Sequence, residues 1–433
     1  MKKIQTALAC LLAALLAGCA AKPQGRVIRF RYWGDLKEMA IIHRLIAEFE
    51  KANPGVTVKD EMKPAPGQTY TDSLLTEFAA GTAPDVIFLT ADIMDSLAHA
   101  GVLQDLSPFL QKDKDLKESE FYPSIIRRFT IDGKLLVLPR DIAPFACVYY
   151  NKNLFDAAHL PYPKDDWTVE QMRQDAIKLT KRDADGQVTQ WGFAEDWPIL
   201  ETWMLDFGGK VVDDYEHPTR IVADSPQALA GLRFRWDLMM KDKVEPTGAD
   251  SQTINGGTMS MFLDGKLAMF YSGLWKVPTF RDIKNFDWDV AMFPKGPDGT
   301  RGFSSGGSGY AMKKGVADPG DCWKLIKFMA GPEAETYMAE TGLTQPAIMS
   351  LAKSKAFLDG KKPHNKKMLL KAALIATQPP KWYHYDEFMT SVLGPNLDPA
   401  WVPGFSGNLA DLVKAAVRQG NGRYFPDSKA GQP

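Results

Sequence analysis

The chain has 433 residues, of which 45% are hydrophobic and 24% are charged. At about 100–200 residues per domain this length suggests two or three domains, and the apolar fraction excludes a disordered chain. Lysine and arginine number 52 against 53 aspartates and glutamates, so the basic excess typical of nucleic-acid-binding proteins is missing. The composition also includes 11 tryptophans, which are more than the helices alone explain.

The first 25 residues have the pattern of an export signal followed by a lipid attachment site. Two lysines precede an apolar run over 7–17, which is too short to cross a bilayer because a spanning helix needs about 20 residues. Residues 16–19, Leu-Ala-Gly-Cys, resemble the lipobox of bacterial lipoproteins. We therefore expect a lipoprotein signal peptide over 1–18, lipidation of Cys19 and a tether over 19–25. The alternative is an ordinary secretory signal in which this cysteine is accidental.

The first part of the mature chain shows a β-α-β-α-β order. Strands are predicted over 27–33, 56–62 and 85–89, and helices over 38–52 and 70–80. The third strand, Asp-Val-Ile-Phe-Leu, is nearly all apolar, which is typical of a parallel strand buried on both faces. This order favours a doubly wound open sheet.

A second set of strands and helices follows residue 134. Strands are predicted over 135–139, 146–151, 188–194, 266–271 and 288–293. Helical periodicity covers 168–181, 227–243, 258–264, 319–330, 332–341, 365–377, 385–393 and 408–418. Pro-Asp-Gly at 297–299 is typical of a hairpin turn. Two α/β units predict two lobes, and a cleft between lobes is the usual place for a small ligand.

Motifs for catalysis, metal binding and nucleotide binding are missing from the sequence. The six histidines lack metalloprotease spacing, and there is no P-loop. Asp183 and Asp185 are read as turn residues, because a calcium loop would need a third matched ligand and a later glutamate. We expect no catalytic residue, no metal and no cofactor. A glycosidase carboxylate pair stays open, since such a pair is defined by distance in space.

Two cysteines, Cys147 and Cys322, lie in the part of the chain that is expected to fold. Neither has the spacing of a metal or redox site, and both lie in apolar or helical patterns. We predict two buried thiols, while a disulfide between them stays an alternative in an exported protein.

Short segments occur in a characteristic order from about residue 27 to about residue 417. They are 32–34 (YWG), 53–56 (NPGV), 81–86 (GTAPDV), 133–139 (GKLLVLP), 149–152 (YYNK), 183–193 (DADGQVTQWGF), 265–275 (GKLAMFYSGLW), 293–296 (FPKG), 304–309 (SSGGSG) and 322–329. Taken together, this series resembles the extracellular solute-binding proteins, family 1. These are the substrate-capturing lipoproteins of ABC sugar importers, typified by maltose-binding protein.

The resemblance implies an α/β, two-lobed fold of the periplasmic-binding-protein type II, each lobe a sheet flanked by helices. The hinge would have three crossings, near 141–145, 288–292 and 342–347. One lobe would comprise 26–141 plus 292–342, and the other 145–288 plus 347–433. A ligand that touches both lobes would close the hinge, because it binds the closed state more tightly.

The resemblance also implies the function and the partners. The protein would capture a mono- or oligosaccharide and deliver it to an ABC permease, as a monomer without enzymatic activity and without nucleic acid. It would be held to the outer face of a membrane, periplasmic or extracellular, by its lipid. The sugar, its chain length, the permease and the envelope type stay open. Leu89 stands where some maltose-type members carry an aromatic residue, which weakens a claim for maltose.

A sugar site needs aromatic rings for the C–H faces and polar groups for the hydroxyls, since unpaired buried hydroxyls cost about 1–3 kcal/mol each. The candidates lie at predicted strand ends and in late loops. They are Trp33, Asp35, Asp92, Asp141, Trp197, Trp275, Gly306, Gly307, Trp382 and Tyr383.

Several of these candidates have a plain structural alternative. Trp33 is suited to packing under the surface between the lobes, and Asp92 to capping the next helix. Asp141 has Arg140 beside it as an ion-pair partner, and the glycines suit a tight loop. Trp167, Trp236 and Trp323 lie in or next to helices and are predicted to pack.

Two other functions compete with sugar capture. The first is a receptor for a polyamine, a metal or a polyol phosphate on the same fold, which would need an acid-rich or a basic site. The second is a surface-anchored glycoside hydrolase with two carboxylates facing each other across the cleft at about 5–10 Å.

Overall fold

The computed structural model describes residues 26–63, 68–248, 250 and 257–426. The predicted signal peptide, Cys19 and the tether lie outside the described residues. Among the residues described, no helix is long and apolar enough to cross a membrane. No group of histidines, cysteines and acids within those ranges is arranged to hold a metal ion.

Twelve strands are found in the described ranges. In chain order they are β1 (Arg26–Trp33), β2 (Val56–Lys63), β3 (Val86–Thr90), β4 (Thr130–Ile131), β5 (Lys134–Leu135), β6 (Leu138–Pro144), β7 (Cys147–Asn151), β8 (Lys181–Arg182), β9 (Val188–Glu195), β10 (Leu267–Ser272), β11 (Trp288–Met292) and β12 (Ser305–Met312).

Helices surround these strands. The α-helices are α1 (Leu36–Ala52), α2 (Gln68–Ala79), α3 (Ala91–His99), α4 (Ser107–Lys112), α5 (Pro123–Phe129), α6 (Lys152–Ala157), α7 (Val169–Leu179), α8 (Leu200–Asp206), α9 (Pro226–Trp236), α10 (Gly257–Leu263), α11 (Val277–Phe280), α12 (Pro319–Met329), α13 (Pro332–Thr341), α14 (Met349–Ala352), α15 (Met368–Ile375), α16 (Tyr385–Glu387), α17 (Gly394–Leu397) and α18 (Leu409–Tyr424). Short 3-10 turns span Glu118–Glu120, Leu274–Lys276, His364–Lys367 and Asp398–Trp401, and π-turns span Asp237–Lys241 and Phe388–Leu393.

The first sheet has the strand order β2-β1-β3-β12-β6. As the sequence predicts, β1 pairs in parallel with both β2 and β3. The late strand β12 inserts antiparallel between β3 and β6. The sheet is therefore completed by a segment that lies more than 160 residues beyond β6 in the chain.

The second sheet has the order β11-β7-β10-β9-β8. The strands β9 and β10 are parallel, so their carboxyl ends meet at one edge. The chain passes from the first sheet to the second between β6 and β7, and returns between β11 and β12. The predicted lobe boundaries stay a prediction.

Three local predictions differ from the structure. Residues 140–144 are expected between strands, yet they belong to β6 because they pair with β12. The 297–299 turn does not close a hairpin, since β11 and β12 lie in different sheets. The helix predicted over 227–243 ends its α-helical part at Trp236 and continues as a π-turn.

Three groups of buried apolar side chains form the interior. The first core surrounds the first sheet, the second core surrounds the second sheet, and the third core joins α8, α9 and α18. Trp323 lies in the first core and Trp167 in the second, and Trp236 packs against the third, so these packing predictions are confirmed. Cys147 and Cys322 are buried free thiols, as predicted.

Candidate functional site

Three aromatic side chains meet at the junction of the two sheets. Trp197 follows the end of β9, Trp275 follows the end of β10, and Phe145 lies between β6 and β7. The Trp197 and Trp275 rings stack with centroids 5.6 Å apart at 29°. Phe145 stands edge-on to Trp197 at 5.8 Å and to Trp275 at 6.0 Å. We call these three residues the aromatic group.

The backbone beneath Trp275 has to be glycine. A Cβ atom on Gly273 would lie 2.0 Å from the Trp275 ring, well inside van der Waals contact. The carbonyl of Gly273 accepts a hydrogen bond from the Tyr149 hydroxyl at 2.8 Å, which holds this segment in place. The glycine therefore lets the indole lie flat over the chain, as its position before the tryptophan suggests.

A charged pair links the two loops that carry the tryptophans. Lys276 Nζ lies 2.8 Å from Asp196 Oδ2, and the Ser272 hydroxyl donates to the same carboxylate at 2.9 Å. Both charged side chains are largely buried. The positive charge of Lys276 and the negative charge of Asp196 cancel, so this pair of polar groups adds no net charge beside the aromatic group.

A second polar region lies between α3, α8 and α16. Glu201 is buried, which raises the pKa of its carboxyl, and the Tyr215 hydroxyl donates to it at 2.9 Å. Burial, together with the nearby carboxylates of Asp92 and Asp72, raises the pKa of Asp386 to about 6. Hydroxyl-accepting carboxylates are therefore placed where α3 approaches α16.

The predicted residues Trp197, Trp275 and Gly306 are brought together. A Cβ on Gly306 would lie 3.1 Å from the Phe145 ring, so this glycine borders the aromatic group. Asp92 lies in the first turn of α3, where Thr90 and not Asp92 has the N-cap position.

Two other predicted residues, Trp33 and Asp141, make their contacts inside the region of the first sheet and its core. Trp33 is buried between Tyr70 and Phe88, with both ring centroids at 4.6 Å. Asp141 is buried, pairs with Arg140 at 2.9 Å and accepts hydrogen bonds from the Ser308 amide and hydroxyl. These contacts correspond to the structural alternatives that the sequence left open.

The remaining predicted residues lie outside the aromatic group. Asp35 caps α1 by accepting from the amides of the first turn. Trp382 is buried in the third core, whereas its neighbour Tyr383 is 39% exposed. Gly307 faces away from the aromatic group, because its Cβ would meet Ile125 of α5 at 2.3 Å.

Sequence reasoning missed four residues of this region. They are Phe145, Asp196, Glu201 and Lys276. Asp196 and Lys276 are chain neighbours of the two predicted tryptophans, and Phe145 lies in the predicted first crossing, so their positions carried a usable signal. Glu201 carried none, because its burial depends on tyrosines from distant segments.

The first core is linked to the second core at one rim and to the third core at another. On one rim Lys37 Nζ lies 2.6 Å from Asp282 Oδ2, and the Thr279 hydroxyl donates to Asp35 at 3.3 Å. On the other rim the Tyr383 ring stacks on His99 of α3, with centroids 3.7 Å apart and an interplanar angle of 2°. Trp275 packs against the first core and Phe145 against the second, so the aromatic group lies where these two cores meet.

Comparison with known proteins defines the class. Residues 33–336, more than half of the chain, match the family described as bacterial extracellular solute-binding protein. The chain belongs to this family. The prediction made from the ordered motifs is thereby confirmed, and it implies a location outside the cytoplasm and a membrane permease as partner.

Particular relatives sharpen this description. The chain is 26% identical to the galactooligosaccharide-binding protein of Bacillus subtilis (strain 168), over 82% of this chain and 83% of that one. It is similar in fold to an ABC substrate-binding protein of Listeria monocytogenes in complex with cycloalternan (TM-score 0.82, 23% identity, 92% and 98% of the two chains). It is also similar to maltose-bound MalE3 of T. maritima (TM-score 0.79, 22% identity, 91% and 98%). The predicted two-lobed α/β fold is confirmed.

Proposed function

We propose that this protein is an ABC-importer receptor that binds a neutral oligosaccharide, with the aromatic group as the main sugar-contacting surface. The observation that carries the proposal is the pair of stacked indoles, Trp197 and Trp275, bordered by Phe145. The named relatives, which bind galactooligosaccharide, cycloalternan and maltose, support the ligand class.

The chemistry of the surroundings favours an uncharged ligand. Lys276 is compensated by Asp196 next to the rings, so a polyol phosphate finds no unpaired cation in this pair. Aromatic faces cover the apolar C–H faces of a pyranose, and the carboxylates of Asp92 and Asp386 accept from hydroxyls. Such a mixture of rings and hydrogen-bonding groups is what a sugar requires.

Binding is proposed to stabilise the arrangement in which the two rims are in contact. A sugar that touches the aromatic group and α3 together interacts with both bodies only in this arrangement, so it shifts the equilibrium toward it. Asp35, Asp141, Trp33 and Trp382 then act by supporting the walls. The predicted lobes, hinged at three crossings, are the bodies that move.

Delivery of the sugar to the permease is the last step of the proposed function. Lipidation of Cys19 would tether a monomeric receptor beside its permease, because two or more acyl chains give stable anchoring. The protein is proposed to perform no chemistry on the sugar. Radiolabelling with palmitate, lost in Cys19→Ser, tests the anchor.

The binding proposal is tested by calorimetry of the purified protein. Titrants are galactooligosaccharides, maltotriose, mannobiose and the corresponding monosaccharides. We expect saturable binding of at least one oligosaccharide, weakened more than tenfold by Trp275→Ala and by Trp197→Ala. The matched control is Trp191→Ala, which removes a half-buried indole in the middle of β9. Absence of binding to every sugar, or equal loss in the control, would refute the proposal.

A further inference from the structure

Tyr271 in β10 is bonded to two of the chain segments that carry the aromatic group. Its backbone carbonyl accepts a hydrogen bond from the amide of Asp196, the neighbour of Trp197, at 2.9 Å. Its hydroxyl donates to the backbone carbonyl of Phe145 at 2.7 Å. Trp275, the third member of the group, follows Tyr271 after the end of the same strand. The three rings are therefore joined through one buried residue.

The side chain of Tyr271 is held by packing as well as by its hydroxyl. Its ring lies against Phe293, with centroids 4.6 Å apart at 42°, and is shielded from solvent. Thr202 Oγ1 lies 3.2 Å from the hydroxyl oxygen. Because phenylalanine lacks only the hydroxyl group, Tyr271→Phe keeps the packed ring and the backbone bond to Asp196. The substitution therefore isolates the contribution of the hydroxyl.

Phe145 lies where the chain crosses from the first sheet to the second. Its amide donates to the carbonyl of Ser304 at 2.9 Å. Next to it, the Phe293 amide donates to the carbonyl of Ala146 at 2.8 Å. These two bonds join the outgoing crossing to the returning segment between β11 and β12. The Tyr271 hydroxyl attaches this pair of segments to β10, the middle strand of the second sheet, and so fixes where the Phe145 ring stands.

The position of the Phe145 ring matters because the ring contacts both indoles. It stands edge-on to Trp197 at 5.8 Å and to Trp275 at 6.0 Å, so it limits how far either indole turns. A backbone carbonyl that loses its partner is costly to leave unpaired. Without the hydroxyl, the crossing therefore turns its carbonyl toward water, and the ring leaves its place against the two indoles.

We infer that Tyr271 is a positioning residue for sugar binding. Its hydroxyl holds Phe145 edge-on to Trp197 and Trp275, so that the aromatic group has its binding geometry before a sugar arrives. Such preorganisation raises affinity, because less ordering is needed on binding. The inference rests on the proposed sugar site, and it adds to that site a buried residue that does not contact the sugar.

The test is calorimetry of the full chain with maltotriose and with galactooligosaccharide, comparing Tyr271→Phe with Tyr70→Phe. Tyr70 is the matched control, since its buried hydroxyl also donates to a backbone carbonyl, that of Phe88, at 3.1 Å in the first core. We expect the sugar Kd to rise about three- to tenfold in Tyr271→Phe, the range for loss of one neutral hydrogen bond, and to change less than about twofold in Tyr70→Phe. The melting temperature should fall in both variants, so the difference in Kd separates positioning from stability.

A double-mutant cycle shows whether the hydroxyl acts through Phe145. Phe145→Leu removes the ring, so adding Tyr271→Phe to it should not weaken binding further. In the unliganded protein, Tyr271→Phe should also change the near-ultraviolet circular dichroism of the stacked indoles by more than Tyr70→Phe does.

The inference fails if Tyr271→Phe keeps the wild-type Kd, if Tyr70→Phe weakens binding equally, or if the losses in the cycle are additive. Trp275→Ala is titrated alongside to keep the two proposals apart. Weaker binding in Trp275→Ala with an unchanged Kd in Tyr271→Phe refutes the role of Tyr271 alone, whereas wild-type affinity in Trp275→Ala refutes the sugar site itself.

Discussion

Replacing Gly273 by alanine should weaken the proposed sugar site without replacing any side chain that is proposed to contact the sugar. The backbone of Gly273, with φ −117° and ψ 176°, is extended and accepts alanine without strain. The obstacle is the Trp275 ring, which would lie 2.0 Å from the new methyl group. Since carbon atoms pack at about 3.5–4.0 Å, the indole must move by about 1.5 Å or more.

The size of the effect follows from what the displaced ring loses. Its stacking on Trp197 is worth about 0.5–1.5 kcal/mol, which is a modest cost in folding stability. A pyranose face that covers about 80 Å² of indole contributes about 2 kcal/mol at about 25 cal/mol per Å². We therefore expect a roughly thirtyfold rise in Kd, with an unfolding free energy within about 1.5 kcal/mol of the wild type.

A double-mutant cycle gives the decisive measurement. Kd is determined by calorimetry for the wild type, Gly273→Ala, Trp275→Ala and the double variant, and the Trp197–Trp275 stack is followed by near-ultraviolet circular dichroism. Because both changes act through the same ring, the double variant should bind no more weakly than Trp275→Ala. Wild-type affinity in Gly273→Ala, or additive losses in the double variant, would refute the reasoning.

Three further predictions concern closure, pH and the first core. Asp282→Ala removes the rim ion pair with Lys37 and should raise the sugar dissociation rate by about 1.4- to fivefold in stopped-flow fluorescence, since exposed pairs contribute about 0.2–1 kcal/mol. An unchanged rate contradicts a role in closure. Burial raises the pKa of Asp206 to about 7, so the folded state binds the proton more tightly and stability falls as pH rises from 4 to 7. Asp206→Asn should remove this loss of stability, which is at most about 4 kcal/mol, in urea unfolding at several pH values. If the variant still loses stability between pH 4 and pH 7, a group other than Asp206 is responsible. Arg128→Met leaves Asp95 buried without its cation and should cost about 3–5 kcal/mol in the same assay, and a loss below about 1 kcal/mol would disprove the importance of the pair.

The sequence alone is sufficient for the class of protein and for the order of its elements. The first five elements, the parallel pairing around β1 and the buried thiols follow from periodicity and composition, which are local properties of the chain. The family follows from the order of short motifs. The family resemblance implies Trp197 and Trp275 as site residues, and the structure shows that they follow strands whose carboxyl ends share an edge.

The tertiary structure decided which of the predicted residues are brought together and which are buried in the cores. Trp33 and Trp382 follow the same kind of local signal as Trp275, yet both are buried, because aromatic rings from other segments cover them. Asp141 is satisfied by Ser308, 167 residues away. Contacts at such separations leave no periodicity in the chain, so the sequence identified the aromatic excess and only the fold sorted it into core and site.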